Sequence, residues 1–445
     1  MKVESPSPRL PTSSLLIVFA AHHCRRRHAT NRIMQNFYHP ALAELGPDAV
    51  PHILGLTASP VMRSNPTELR LVISCFQTSV SPCLTVFFRD VESNLHSICR
   101  TPRVHRQELL VHTHRPVLHQ IRFAPSYIWG SGFSQTLGVL LDSWRKLDIE
   151  SDPYVKRLRK DPESAERLQR VIQTRKTNCH MTLKKFIARS CHIREELGPW
   201  AADYFIHASI QLIQEAAADL VAQNEWDLEE KEFMVDFFSK IPMPDATDAE
   251  NYLISSKLRK LIEFLKDVDS PEFAGLVFVE QRATVGVLAN LLSVHPETRT
   301  RFRCAPYIGW ANNSNRKDML GDLTSVNDQH DTLAEFRAGR KNLIITTNVL
   351  EEGIDVTACS LVVCFNKPPN LKSFIQRRGR ARQKKSTYAI MFATDDTSVE
   401  LRKWTALEEA MVAAYQSEER QLRQLQQLEM TDEQVRDTLS IKSTG

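Results

Sequence analysis

The sequence predicts an α/β fold, a parallel sheet with helices on both faces, joined to an all-α helical insert, and three observations predict it. Short apolar runs near Leu276, Leu343, Leu361 and Tyr388 alternate with helix-spaced stretches, which implies a parallel sheet clothed on both sides. From about residue 125 to 245, apolar residues instead recur three and four apart, the period of packed helices. The C-terminal apolar runs end in loops rich in acids and arginines, and open α/β sheets bind ligands at that edge.

In chain order, residues 1–11 are rich in Ser and Pro and are expected to be disordered. Leu15-Leu16-Ile17-Val18-Phe19 and His52-Ile53-Leu54-Gly55-Leu56 read as strands, the second ending in Thr57-Ala58-Ser59-Pro60. Residues 67–124 are expected to form an irregular linker. Within it, 71–89 is rich in Cys, Ser and Phe without periodicity and reads as either a variable loop or a retained intron. The insert, 125–245, shows helical spacing in 126–147, 156–176, 182–196 and 200–222, and Asp161-Pro162-Glu163 carries the proline and acids of a first helical turn. Trp200, Tyr204 and Phe205 share that spacing with Ile206 and Ile210, so they read as core rather than as base-stacking platforms. Residues 246–395 form a second α/β unit in which Val285, Leu288, Ala289 and Leu292 mark one helix between strands. Residues 396–430 are charged and helix-spaced, and 431–445 form a tail.

Two strings stand out. Asn348-Val349-Leu350-Glu351-Glu352-Gly353-Ile354-Asp355-Val356 follows one apolar run, and Gln376-Arg377-Arg378-Gly379-Arg380-Ala381-Arg382 follows the next. Gly353 and Gly379 allow close backbone approach beside the charged groups. An arginine run by itself is more often a solvated turn. What overturns that reading is its order behind Thr57-Ala58-Ser59-Pro60 and Phe278-Val279-Glu280-Gln281-Arg282.

These strings in this order resemble the superfamily-2 helicases, and in particular the helicase region of fungal-type Dicer-like proteins. Arg32-Ile33-Met34-Gln35-Asn36-Phe37-Tyr38-His39-Pro40 is similar to the helix after the Dicer-type Asp-Glu-x-His box. The resemblance covers nearly the whole chain. It implies that 12–66 is the remnant of a first RecA-like domain and 246–395 a second one, with the insert between the two motor domains, 396–430 a helical bracket, and 431–445 the approach to a dsRNA-binding-like domain beyond the chain. It also implies a role in RNA silencing and antiviral defence. Arg380 would be the arginine finger that meets phosphoryl charge in the transition state, with Arg377 flanking it and Gln376 near the nucleotide. Gly353, Asp355 and Arg382 would face the nucleotide, and Glu352 lies in the loop that couples nucleotide state to RNA grip. Thr347, Gln281 and Arg282 would contact RNA backbone, and Thr57 and Ser59 would couple the motor domains. The insert would grip the duplex and dock a protein partner.

The chain also departs from that pattern. No Gly-Lys-Thr or Gly-Lys-Ser occurs, so the phosphate-cradling loop is missing. Phe19-Ala20 stands before Ala21-His22-His23-Cys24, where the family has an Asp-Glu pair. Those carboxylates hold Mg²⁺ and orient the attacking water, so ATP and Mg²⁺, the family's cofactors, are not expected to be bound productively by this chain alone. No RNase III carboxylate cluster is present, so dicing is not expected of these residues.

Composition sets the remaining bounds. The 445 residues, 42% hydrophobic, can bury several cores. With 57 basic and 53 acidic residues, a nucleic-acid surface must be a local patch, and 377–385 is a better candidate than 25–27 or 156–160. Nine cysteines without paired spacing point to a reducing intracellular compartment, cytoplasmic or nuclear, and to no metal site. No apolar run reaches the ~18 residues of a membrane span. Three functions stay open: a dsRNA-binding Dicer-like helicase fragment, a partner-docking module with a vestigial motor, and a DNA-repair translocase of the same superfamily.

Overall fold

The computed structural model describes residues 15–19, 32–33, 36–37, 52–56, 116–125, 135–218, 227–242, 253–267, 273–309, 323, 328–351, 354, 356–396, 402 and 404–406. Strands β1 (Leu15–Phe19) and β2 (His52–Leu56) pair in parallel as a separate two-stranded sheet. The Ser/Pro-rich start, 71–89 and most of the expected bracket and tail lie outside the described residues.

The larger sheet begins where the sequence led us to expect an irregular linker. Val117–Phe123 forms β3, which pairs in parallel with β8 (Thr387–Ala393) over seven registered positions. The chain then makes its helical excursion: α1 (Gln135–Arg145), α2 (Pro153–Lys160), α3 (Ala165–Thr174), α4 (Asn178–Leu197), α5 (Pro199–Ala218) and α6 (Leu228–Ser239). It returns through α7 (Ser256–Lys266), β4 (Gly275–Phe278), α8 (Arg282–Val294), β5 (Cys304–Tyr307), α9 (Asp328–Arg337), β6 (Leu343–Thr346), β7 (Leu361–Cys364) and α10 (Leu371–Arg378) to β8. The six strands lie in the order β3-β8-β7-β4-β6-β5, all parallel. The insert therefore leaves the larger sheet after its edge strand β3 and returns into the same sheet, and of the expected linker the described residues 116–124 hold that strand.

Local chemistry explains the element ends. Asp152 caps α2, whose first residue is Pro153. Asp161 accepts from Glu163 N across the turn that divides α2 from α3, so 156–176 is two helices. Thr177 accepts from His180 N at the start of α4, Ser255 from Leu258 N at α7, and Asn370 from Ser373 N at α10. Asp227 and Glu230 form a reciprocal capping box at α6. Gly198 ends α4 at φ +109, with space so tight that a Cβ would lie 2.6 Å from Leu253 O and Ser255 N.

Side chains alternate across the strands, so the sheet builds two cores. Val277, Ile345, Val363 and Met391 face α7, α8 and the insert, and share one continuous core with Phe186, Phe205 and Phe238. Leu276, Ile344, Val362 and Tyr388 face the other way, onto Phe336 of α9, Phe374 of α10 and Trp404. Phe205 is fully buried, whereas Trp200 and Tyr204 are half-buried and stack on each other at 5.6 Å.

Candidate functional site

Because the strands are parallel, their C-terminal ends share one edge, and β4, β6 and β7 are neighbours there. Past β4 come Val279, Glu280 and Gln281, the residue before α8, whose side chain makes no capping bond, and then exposed Arg282 as the first helical residue. Past β6 comes Thr347, buried at 6% exposure, and a short turn, Asn348–Leu350, that delivers Glu351. Past β7 come Phe365, Asn366 and Lys367. The structure thus brings Gln281, Arg282 and Thr347 to one edge. Glu352, Gly353, Asp355, Thr57 and Ser59 lie outside the described residues.

The arginine run is split by burial. Arg377 points inward: its Nε donates to Glu351 Oε1 at 2.8 Å, its Nη1 to the Asn366 carbonyl at 3.3 Å, and its guanidinium lies over Phe278, 5.0 Å from the ring centre. Ser373 Oγ donates to the other Glu351 oxygen at 3.0 Å, so the carboxylate is gripped on both sides. Burial works against the Arg377 charge, but its pKa is raised overall, with the Glu351 carboxylate favouring the charged form. Burial pushes the neighbouring Cys364 thiol up and holds the Tyr388 hydroxyl well above its usual range, so neither ionises near neutrality. Arg380 is also buried, and its Nη1 donates to Ile354 O at 2.9 Å. Cys359 N donates to Arg380 O, so the Arg380 backbone lies beside the approach to β7 while its side chain reaches Ile354 in the loop past β6. Arg382 is exposed, with Nε on Gly379 O at 2.8 Å, and Gln376 is buried. Gly379 has ordinary helical φ, −63, and a Cβ there would sit 3.3 Å from Ile375 O.

Sequence reasoning missed the residues that fix this arrangement: Glu351, Asn366, Ser373, Lys257 and Glu196. Lys257 Nζ donates to Glu196 Oε2, lies 4.2 Å from the centre of the Phe365 ring, and is lowered in pKa by burial against the pull of Glu196. A Glu351-Glu352 pair in sequence does not say which acid turns inward, and pairs such as Glu196 and Asn366, far apart in the chain, leave no local signal. Among the described residues no group of three His, Cys, Asp or Glu side chains could hold a metal ion, and no helix is long and apolar enough to cross a membrane. Among the described residues of the Phe278–Arg282 and Gln376–Arg382 strings, Arg282 and Arg382 are exposed and so are the arginines placed to meet a phosphate.

Residues 256–385 match the family model of the helicase conserved C-terminal domain. Dicer-like protein 2 of Aspergillus fumigatus is 53% identical over 437 residues, 97% of this chain and 30% of that protein. The protein of the same name from Aspergillus terreus is 51% identical over 441 residues, 98% of this chain and 31% of its own. This chain corresponds to the helicase region of fungal Dicer-like proteins. More distant relatives align as fully: Dicer-like protein 2 of Cryphonectria parasitica is 35% identical over 97% of this chain and 28% of its own. The chain thus spans less than a third of the length of these relatives. The Pyrococcus furiosus Hef helicase domain aligns over 88% of this chain and 73% of its own at 17% identity and a TM-score of 0.35, a likeness too weak to bear on the fold.

Proposed function

We propose that this Dicer-like helicase region binds double-stranded RNA of the RNA-silencing and antiviral pathway through its C-terminal sheet edge and helical insert, without turning over ATP by itself. The observation that carries the reading is the clustering of Gln281, Arg282 and Thr347 past neighbouring parallel strands. A helix start and a strand end side by side offer backbone N–H groups and one exposed guanidinium to phosphates, which position a duplex without reading its sequence. Arg380 and Arg382 would then face a nucleotide held by residues outside this chain, with Gly353 and Asp355 beside it and Glu352 linking nucleotide to RNA. Arg377, with its guanidinium on Glu351, supports them from inside. The setting is a reducing intracellular compartment, and the insert also offers a surface for a protein partner.

Filter binding at stated salt, comparing dsRNA with branched DNA, tests the substrate. Tighter retention of dsRNA is expected; preference for branched DNA would favour a repair translocase. ATP turnover by the purified chain should sit at background with or without dsRNA, and robust RNA-stimulated hydrolysis would contradict the second half of the reading.

A further inference from the structure

The C-terminus of α4 in the insert and the arginine run of α10 are far apart in sequence, yet polar contacts join them without a break. Glu196 Oε2 receives both Lys257 Nζ and Asn366 Nδ2, the latter at 2.8 Å. Asn366 Oδ1 receives Glu280 N at 3.0 Å, and its backbone carbonyl receives Arg377 Nη1 at 3.3 Å. Arg377 holds Glu351, which Ser373 of α10 also holds. The two cations are buried and Glu196 and Asn366 between them are half-buried: Lys257 is enclosed by Phe365 and Phe123, with ring centres at 4.2 and 5.3 Å, and Arg377 lies on Phe278. In such surroundings each member's placement depends on its neighbours, because an unmet donor or charge is costly. Nearby, Gly198 locks the α4–α5 junction against 253–255, and Ser256 Oγ donates to Ala124 O just past β3, so the junction is seated on the sheet by independent contacts.

We propose that Asn366 is a positioning residue that ties the helical insert to the arginine run, its side chain held by Glu196 and its carbonyl holding Arg377. Any shift of the α4 end relative to the sheet is then felt at Arg377 and along α10. The functional consequence, that duplex engaged by the insert adjusts the arginines, rests on the reading above. The linkage itself is tested without RNA or nucleotide, so the two can fail separately.

The test is hydrogen–deuterium exchange on the whole chain, read over 371–382. Glu196→Gln and Asn366→Asp should each speed exchange there by about tenfold, since local opening sets the rate. The double variant swaps donor and acceptor: the amide at 196 donates to the carboxylate at 366, which also keeps a counter-charge beside Lys257. It should return exchange over 371–382 to near wild type. Lys266→Met, which breaks the exposed Lys266–Glu297 pair, should leave that segment unchanged. Additive effects in the double variant, exchange over 371–382 unmoved by Glu196→Gln, or the same acceleration from Lys266→Met would each overturn the proposal. Where Glu196→Gln fails to fold, Asn366→Ala decides it by the same readout.

Discussion

The two faces of the large sheet each bury an acid–base pair, and the pairs do different work. Arg377–Glu351 belongs wholly to the C-terminal α/β unit, with side chains 5% and 9% exposed. Lys257–Glu196 joins that unit to the insert, with 8% and 18% exposed, and Glu196 has Asn366 as a second donor. Glu351 likewise has a second donor in Ser373, so the pairs differ in how much water reaches them and not in the number of partners. A buried ion pair is weak evidence for stability in itself, because desolvation offsets much of the attraction, but losing one partner strands the other. The difference suggests that the first pair fixes the shape of a loop and helix, and that the second fixes how two parts of the molecule sit together.

The largest expected effect follows. Arg377→Ala should cost about 3–5 kcal/mol, since Glu351 would keep only Ser373. Lys257→Met should cost less, because Glu196 is more open to water than Glu351 and the methionine chain fills the space against Phe365. Urea unfolding at constant m measures both. A Lys257→Met loss equal to or larger than that of Arg377→Ala would break the comparison.

Next comes the junction that seats the insert. Gly198→Ala puts a methyl group against the backbone of 253–255 at positive φ and should destabilise by about 2 kcal/mol or more. The loss should appear as faster exchange in α4, α5 and 253–255. A neutral outcome would mean that the α4–α5 corner is not the fixed point the second ion pair requires.

Much of the fold was legible because it rests on period. Four strands and the helix at Val285 to Leu292 follow from alternation, and the insert helices from three- and four-residue spacing. The two missed strands are the sheet's edges. β3 buries only Ile121, so its apolar pattern is faint, and β5 carries Pro306, which an edge tolerates because one side has no ladder to complete. A pattern read locally also says nothing of β3 pairing with a strand more than two hundred residues later. In the site, the sequence marked the arginines as a group but not their division. Which guanidinium turns inward depends on Glu351, Ser373 and Asn366 arriving from three different segments.

A smaller effect separates the insert from the sheet by pH. Burial, then Arg175, hold the His180 imidazole below its ordinary value, with Asp152 opposing and Lys184 assisting. A base held low binds fewer protons folded than unfolded. Stability therefore rises with pH through the window below about 6.5 and is lost on acidification. His180→Phe keeps a ring against Trp144 and should shrink the drop in urea midpoint between about pH 7.5 and about pH 5.5. His207 and His295 are lowered by burial as well, so a residual slope should persist. An unchanged drop would show that acid sensitivity arises elsewhere.

The smallest stability effects, and the sharpest functional contrast, belong to the exposed arginines. Arg282 opens α8 at the sheet edge and Arg382 follows α10, and neither supports a core, so alanine at either should shift stability by no more than about 0.5 kcal/mol. Their effects on RNA should differ. If Arg282 neutralises a phosphate, Arg282→Ala weakens dsRNA binding about equally across sequences and reduces the slope of log affinity against log salt by about one. Arg382, assigned to the nucleotide, should leave that slope unchanged. Equal loss of slope in both variants would move Arg382 onto the RNA and leave the nucleotide-facing role to Arg380, which is held against Ile354 O.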